Sequence, residues 1–177
     1  FLVRIPYPAG MGPYKVINET ARYLELWCEA TNIPGVALST TNINRYGYAG
    51  IEKKPHTAVM NDITLNFIAD GKTAILQFFQ QWIKMIVNFD MRSGINPSTN
   101  NGLMANQAPY EVAYKNAYIT DIELIVFNDG GQEVLNIVLR EAYPIVLGDM
   151  PLNWGDTNTA ARIPVTFSIY DWYSKNN

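Results

Sequence analysis

The chain has 177 residues, of which 48% are hydrophobic, 12% aromatic and only 16% charged, with a formal net charge of -3. That length suits one domain with a single core, and a charged share well under the usual quarter leaves a surface suited to burial against other subunits. The negative balance excludes a broad phosphate-gripping basic patch, and the lone cysteine, Cys28, excludes an intrachain disulfide framework and a multi-cysteine zinc site.

No run of about 18 apolar residues is present, and the start, Phe1-Leu2-Val3-Arg4-Ile5-Pro6, lacks the basic-then-apolar order of a signal peptide. The expectation is a chain that neither spans a membrane nor is secreted, with Cys28 as a core thiol. From Thr20 to Ala30, Arg22, Leu24, Leu26 and Cys28 alternate with Tyr23, Glu25, Trp27 and Glu29, which predicts a strand. Asn32-Ile33-Pro34-Gly35 is turn chemistry, and a second strand is expected from Val36.

Residues 40–57 are rich in Asn, Gly, Tyr and Lys and read as a long hairpin or extended loop. Val59, Ile63, Leu65 and Phe67 then face away from Met60, Asp62, Thr64 and Asn66, the pattern of a half-buried strand. The period changes next. Ile75, Phe78, Phe79, Trp82, Ile83 and Ile86 recur at three and four residues, predicting a helix over 73–89 with Asp70 or Thr73 as its N-cap.

Residues 91–109 are polar and turn-prone, a long loop of the kind that usually has a role. Strands are expected over Tyr118 to Phe127, Val134 to Ala142 and Ile163 to Trp172, the first two joined at Asp129-Gly130-Gly131. The predicted fold is mainly β: six to seven antiparallel strands in a sandwich or barrel, one flanking helix, and a single domain over 1–177. Its edge strands invite pairing with other copies.

Several sequence blocks carry a resemblance. Glu29-Ala30 with Pro34-Gly35, Arg45-Tyr46-Gly47 with Lys54-Pro55, Asp62 through Phe67-Ile68, and Phe78-Phe79-Gln80-Gln81-Trp82-Ile83 occur in order. Tyr118-Ile119-Thr120-Asp121-Ile122, Ala142-Tyr143-Pro144, Pro151-Leu152 with Trp154, and Pro164-Val165-Thr166-Phe167-Ser168 follow. Together they resemble the tail-tube proteins of contractile-tailed bacteriophages over nearly the whole chain.

That resemblance implies a structural subunit and not an enzyme, without cofactor or metal. It implies hexameric rings stacked inside a contractile sheath, whose joined sheets form a continuous β-barrel around a DNA channel. The implied partners are sister copies, the sheath protein, baseplate and tail-terminator proteins, the tape-measure protein and genomic DNA in the lumen, with no sequence-specific DNA grip. The implied location is the virion tail, assembled in the host cytoplasm. A baseplate tube initiator or terminator, or the tube of a related injection system, shares the same pattern.

On this reading Arg45, Tyr46, Tyr48, Lys53 and Lys54 are candidates for contacts between rings or subunits, because long aromatic and cationic side chains gain area and paired charge on burial. Asp62, Thr64 and Asn66, with Thr166 and Ser168, are candidates for a lumen wall, where small neutral and acidic groups repel phosphate. Trp82 is expected in the core, whereas Trp27, Trp154 and Trp172 are candidates for subunit contacts. Enzymatic alternatives are thin. His56 is the only histidine, and Asp121 with Glu123 shares a strand face as glycosidase carboxylates do, but so do many solvated faces.

Overall fold

Alternating side chains build most of the molecule. A computed structural model describes residues 1–11, 25, 27–44, 50–71, 73–89, 110–150 and 160–175. Among them lie nine strands: β1 (Leu2–Arg4), β2 (Cys28–Thr31), β3 (Val36–Ile43), β4 (Glu52–Met60), β5 (Ile63–Ile68), β6 (Thr120–Phe127), β7 (Glu133–Leu147), β8 (Arg162–Ser168) and β9 (Asp171–Ser174). Two helices, α1 (Ala74–Ile86) and α2 (Lys115–Tyr118), and a 3-10 turn at Ala9–Met11 complete the described elements.

Seven strands share one sheet in the order β1-β6-β7-β8-β5-β2, with β9 also paired to β7. All the pairings are antiparallel. The long strand β7 joins the two halves. Its first part pairs with β6 on one flank and β9 on the other, and its last part pairs with β8. Strands β8 and β9 follow the same flank of β7, since Tyr143 stands opposite Ser168 and Arg140 opposite Asp171.

The change of partner falls at a corner. Glu141 has φ 52, a left-handed conformation unusual for a side chain with a Cβ, and the β6–β7 register shifts at this point, between Thr120 and Ile122. The bulge leaves the Glu141 N–H without a ladder partner, and Asp121 Oδ1 accepts it at 3.0 Å. Across the corner the Tyr170 N–H donates to the Arg140 carbonyl at 3.0 Å.

One core serves both halves. Ile63, Leu65 and Phe67 of β5, Ile163, Val165 and Phe167 of β8, Ile122 and Leu124 of β6, and Ile137 and Leu139 of β7 are all buried in one cluster. Helix α1 lies against it with Ile75, Phe78, Phe79, Trp82 and Met85, the three-and-four spacing made physical. Trp82 is fully buried, packs on Phe79 and Phe167, and donates its indole N–H to the Tyr118 carbonyl at 2.8 Å. Trp27 and Trp172 are half-buried against the same core, and Trp154 lies outside the described residues.

The helix starts on Asp70, whose two carboxylate oxygens accept the N–H groups of Ala74 at 3.1 Å and Ile75 at 3.3 Å. Thr73, the residue before the first turn, makes no side-chain cap. The helix ends at Ile86, short of residue 89, because Val87 turns extended and forms a bridge with Val112. The Tyr110 N–H donates to the Asn88 carbonyl at 2.7 Å and the Ala113 N–H to that of Ile86 at 2.9 Å, so the residues flanking 90–109 are held side by side. Residues 91–109 themselves lie outside the described set.

Three expectations need correction. The strand foreseen over Ile163 to Trp172 is two strands, β8 and β9, parted at Ile169–Tyr170. The strand foreseen over Thr20 to Ala30 is realised, among the described residues, only from Cys28, and Glu25 has helical backbone. The strand read from Val59 through Phe67 is two strands, β4 and β5, broken at Asn61–Asp62. The break preserves the odd-even frame, so side-chain alternation hid it.

Candidate assembly surfaces

Among the described residues, strands β3 and β4 pair only with each other and form an arm outside the main sheet. Val36 stands opposite Met60, Leu38 opposite Ala58 and Ile43 opposite Glu52. Pro55 sits where the register shifts between Ser39 and Thr40, a bulge that suits a residue without an N–H. Nearly every arm residue is exposed, including the apolar ones, with Leu38 at 63%. Among the described residues, apolar side chains on both faces of this two-stranded ribbon find no cover.

Lys53 and Lys54 lie exposed on β4, opposite Asn42 and Thr41. Arg45, Tyr46 and Tyr48 fall outside the described residues. His56 is exposed beside the bulge, its Nδ1 2.9 Å from the Thr57 hydroxyl.

The second surface is the side of β5 and β8 turned away from the core. Thr64 and Thr166 face one another across the strands and share a hydrogen bond of 3.0 Å between hydroxyls. Asn66 stands opposite Pro164 on one strand and Ala30 on the other. Asp62 precedes β5 and is exposed. Thr64 and Asn66 therefore share one polar face with Thr166 and Ser168, and Asp62 stands just ahead of it.

Sheet margins without a described partner form the third surface. Among the described residues β1 and β2 end the main sheet, and β9 pairs with β7 alone. Each offers a row of backbone donors and acceptors.

Several other titratable groups hold the described structure together. Asp121 is spent on the Glu141 N–H, and Glu123 is held between Arg4, at 3.1 Å, and Lys175. Hydrogen bonding by Lys175 sets the Glu123 carboxyl below its ordinary range against the opposing effect of burial. Arg162 grips Glu29 through two hydrogen bonds of 2.6 and 2.9 Å and lowers its carboxyl in the same way, and Arg140 does so for Asp171. The Tyr170 ring lies near both the Lys115 and Arg140 cations, and Lys115 also pairs with Glu141. Burial pushes the Cys28 thiol up to about 12, which makes it inert. Among the described residues no cluster of three metal-ligating side chains occurs, and no helix is long and apolar enough to cross a membrane.

Two features escaped sequence reasoning. The corner cluster around Glu141 depends on a backbone conformation that glutamate does not advertise. The turn at Asn128 to Glu133 was legible as a hairpin, but the exposure of Phe127 and Val134 on either side of it was not.

The sequence profile of the family described as phage tail tube protein matches residues 1–176. No curated protein matches the chain in sequence. Among solved structures, the sheath/tube terminator of an extracellular contractile injection system, PVC, in its extended state is 17% identical, with 85% of this chain and 86% of that chain covered and a TM-score of 0.56. The anti-feeding prophage baseplate structure gives 10% identity, coverage of 83% and 79%, and a TM-score of 0.54. The PVC sheath-tube complex gives 18% identity, coverage of 82% and 80%, and a TM-score of 0.51. At such identities these structures share the fold, an antiparallel β architecture with few helices, while the profile match over almost every residue settles descent. The chain belongs to the phage tail tube protein family, whose members are structural proteins and not enzymes.

Proposed function

We propose that this chain is the repeating subunit of a contractile tail's inner tube: copies join side by side into a closed hexameric ring, and rings stack into a hollow conduit through which DNA leaves. The observation that carries the reading is the arm, whose apolar residues on both faces lie exposed in the isolated chain. Margins at β1, β2 and β9 that have no further partner among the described residues support it, because edge-to-edge pairing of identical copies satisfies such margins once a ring closes. Contacts within a ring must close, whereas contacts between rings are open-ended, so tube length is set by another protein, the tape measure.

Lys53 and Lys54, with Arg45, Tyr46 and Tyr48, make contacts between subunits or rings. Asp62, Thr64 and Asn66 face the lumen, where neutral and acidic groups and a net charge of -3 keep nucleic acid from adsorbing. The sheath protein surrounds the tube, and baseplate and terminator proteins cap its ends, so the chain's place is the virion tail after assembly in the host cytoplasm.

Sedimentation velocity and negative-stain microscopy of the purified chain test this reading. Hollow rods of one width, lengthening when seeded, are expected. A species that halts at a single ring assigns the chain to a tube initiator or terminator instead, and a monomer at every concentration removes the reading.

A further inference from the structure

Most cations among the described residues are satisfied within the chain. Arg4, Lys115, Arg140, Arg162 and Lys175 all take part in ion pairs, and Lys84 lies over the Phe89 ring. Lys53 and Lys54 differ: both are exposed on β4, and neither ammonium has an ion-pair partner among the described residues. Two cations without a described partner therefore stand on an arm whose apolar residues are also exposed.

Faces of the arm follow from the alternation of β3. Lys53, opposite Asn42, shares a face with Val36 and Leu38, while Lys54, opposite Thr41, shares the other with Ile43. Each face thus offers a cation beside aliphatic surface. A matching surface needs carboxylates beside exposed apolar groups.

The β6–β7 turn has that composition. Asp129 and Glu133 are exposed and have no ion-pair partner among the described residues. Glu133 stands opposite Phe127, which is 41% exposed, and Val134 beside it is 58% exposed. The turn is rigid: the Asn128 N–H donates to the Gln132 carbonyl at 2.9 Å, the Gln132 N–H to Asn128 Oδ1 at 2.8 Å, and the Gly131 N–H to the Asn128 carbonyl at 3.0 Å. Gly131 supplies the positive φ, 74°, that closes it. A knob so fixed loses little entropy on docking. Of the other acids without a described partner, Asp62 and Asp149 stand singly.

Position makes the partner a second copy. The arm's base meets β5 at Ile63, which stands opposite Phe167 and so lies level with Pro144, near the corner of β7. The acidic turn closes the far end of β7, and strand rise over the seven steps from Glu133 to Arg140 separates the two by roughly 20 Å or more. The arm's base and the acidic turn thus stand apart along β7, and a head-to-tail contact between copies can bring the arm of one to the turn of the next.

We propose that the arm of one subunit docks on the Asn128–Glu133 turn of another, Lys53 and Lys54 against Asp129 and Glu133, with Leu38, on the face of Lys53, covering Phe127. This docking rests on the tube reading and assigns the acceptor for its arm.

Charge reversal in the full-length chain tests it. Lys53→Glu with Lys54→Glu, and separately Asp129→Lys with Glu133→Lys, should each raise the critical concentration for tube growth by about tenfold or more, and the four-substitution chain should recover assembly. An equimolar mixture of the two double variants should also grow where neither does alone, and about 1 M salt should soften both defects. Unchanged melting temperatures show that each variant is folded; should one melt early, Asp129→Asn with Glu133→Gln replaces it, with a smaller defect and a flattened salt dependence expected. Tubes from the turn-reversed chain at the wild-type critical concentration, or a four-substitution chain that fails to recover, overturn the docking while leaving the tube reading in place. A wild-type chain that never assembles overturns both.

Discussion

Glu141 shows how much one residue bears. Its φ of 52 costs roughly 1–2 kcal/mol for a side chain with a Cβ, and the structure holds it there through the Asp121 carboxylate and the Arg140–Tyr170 backbone bond. Glycine accepts that conformation freely, and the exposed ion pair with Lys115 contributes little. Glu141→Gly should therefore unfold in urea at or above the wild-type midpoint, and Glu141→Val should lose about 1–2 kcal/mol. The reverse order contradicts the assignment of the corner. At Trp82 a different term dominates. Trp82→Phe keeps an aromatic ring among Phe79 and Phe167 but orphans the Tyr118 carbonyl and leaves a void, so a loss of about 1–3 kcal/mol is expected by the same titration.

At the scale of elements, the arm and the sheet should separate cleanly. The arm adds little to the shared core, whose buried members come from β1, β5, β6, β7, β8, α1 and the stretches next to them. Replacing residues 41–54 with Asn-Gly joins Thr40 to Pro55, which already stand opposite one another. The shortened chain should melt within a few degrees of wild type and fail to form tubes. An equally large fall in melting temperature would place the arm in the folding core instead.

Legibility also divides by element. Helix α1 was readable because a stripe of large apolar residues at three-and-four spacing fits one side of a helix and neither side of a strand, and Asp70 was readable as its cap because a carboxylate ahead of an apolar run satisfies free N–H groups. Strands β5 and β8 were readable from Ile63, Leu65, Phe67 and Ile163, Val165, Phe167, all of which turn inward. The corner of β7 was not, since its register shift lies inside a continuous strand from Glu133 to Leu147. The strand expected from Val36 is β3, but that it belongs to the hairpin read over 40–57 was not legible, and the pairing with β4 and the exposure of Val36 and Leu38 show it. The Thr64 and Asn66 strip was legible as a polar face, but which space it faces depends on sister copies and is written in no single chain.

The whole molecule should weaken in acid for a definable reason. Glu29, Glu123 and Asp171 have carboxyls held low mainly by hydrogen bonds from Arg162, Lys175 and Arg140. Folded values below unfolded ones mean that the unfolded chain takes up more protons on acidification. The stabilisation is therefore complete above the ordinary carboxylate range and is lost as pH falls through the lowered values. The melting temperature should be flat near neutrality and decline below about pH 4, with a modest slope because the pairs are exposed, and less decline in high salt. A chain with Glu29→Gln, Glu123→Gln and Asp171→Asn should show a shallower decline. An equally steep one assigns the acid sensitivity to other groups.

All of this turns on whether sheet margins that are bare in one subunit are covered in the assembly. Amide hydrogen exchange, read residue by residue on dispersed and assembled chain, measures that directly. The outward N–H groups of margin strands among β1, β2 and β9 should exchange slower by orders of magnitude after assembly, while the β6–β7 and β5–β8 ladders change little. Margin amides that exchange at the same rate in both states would contradict edge-to-edge joining of the subunits.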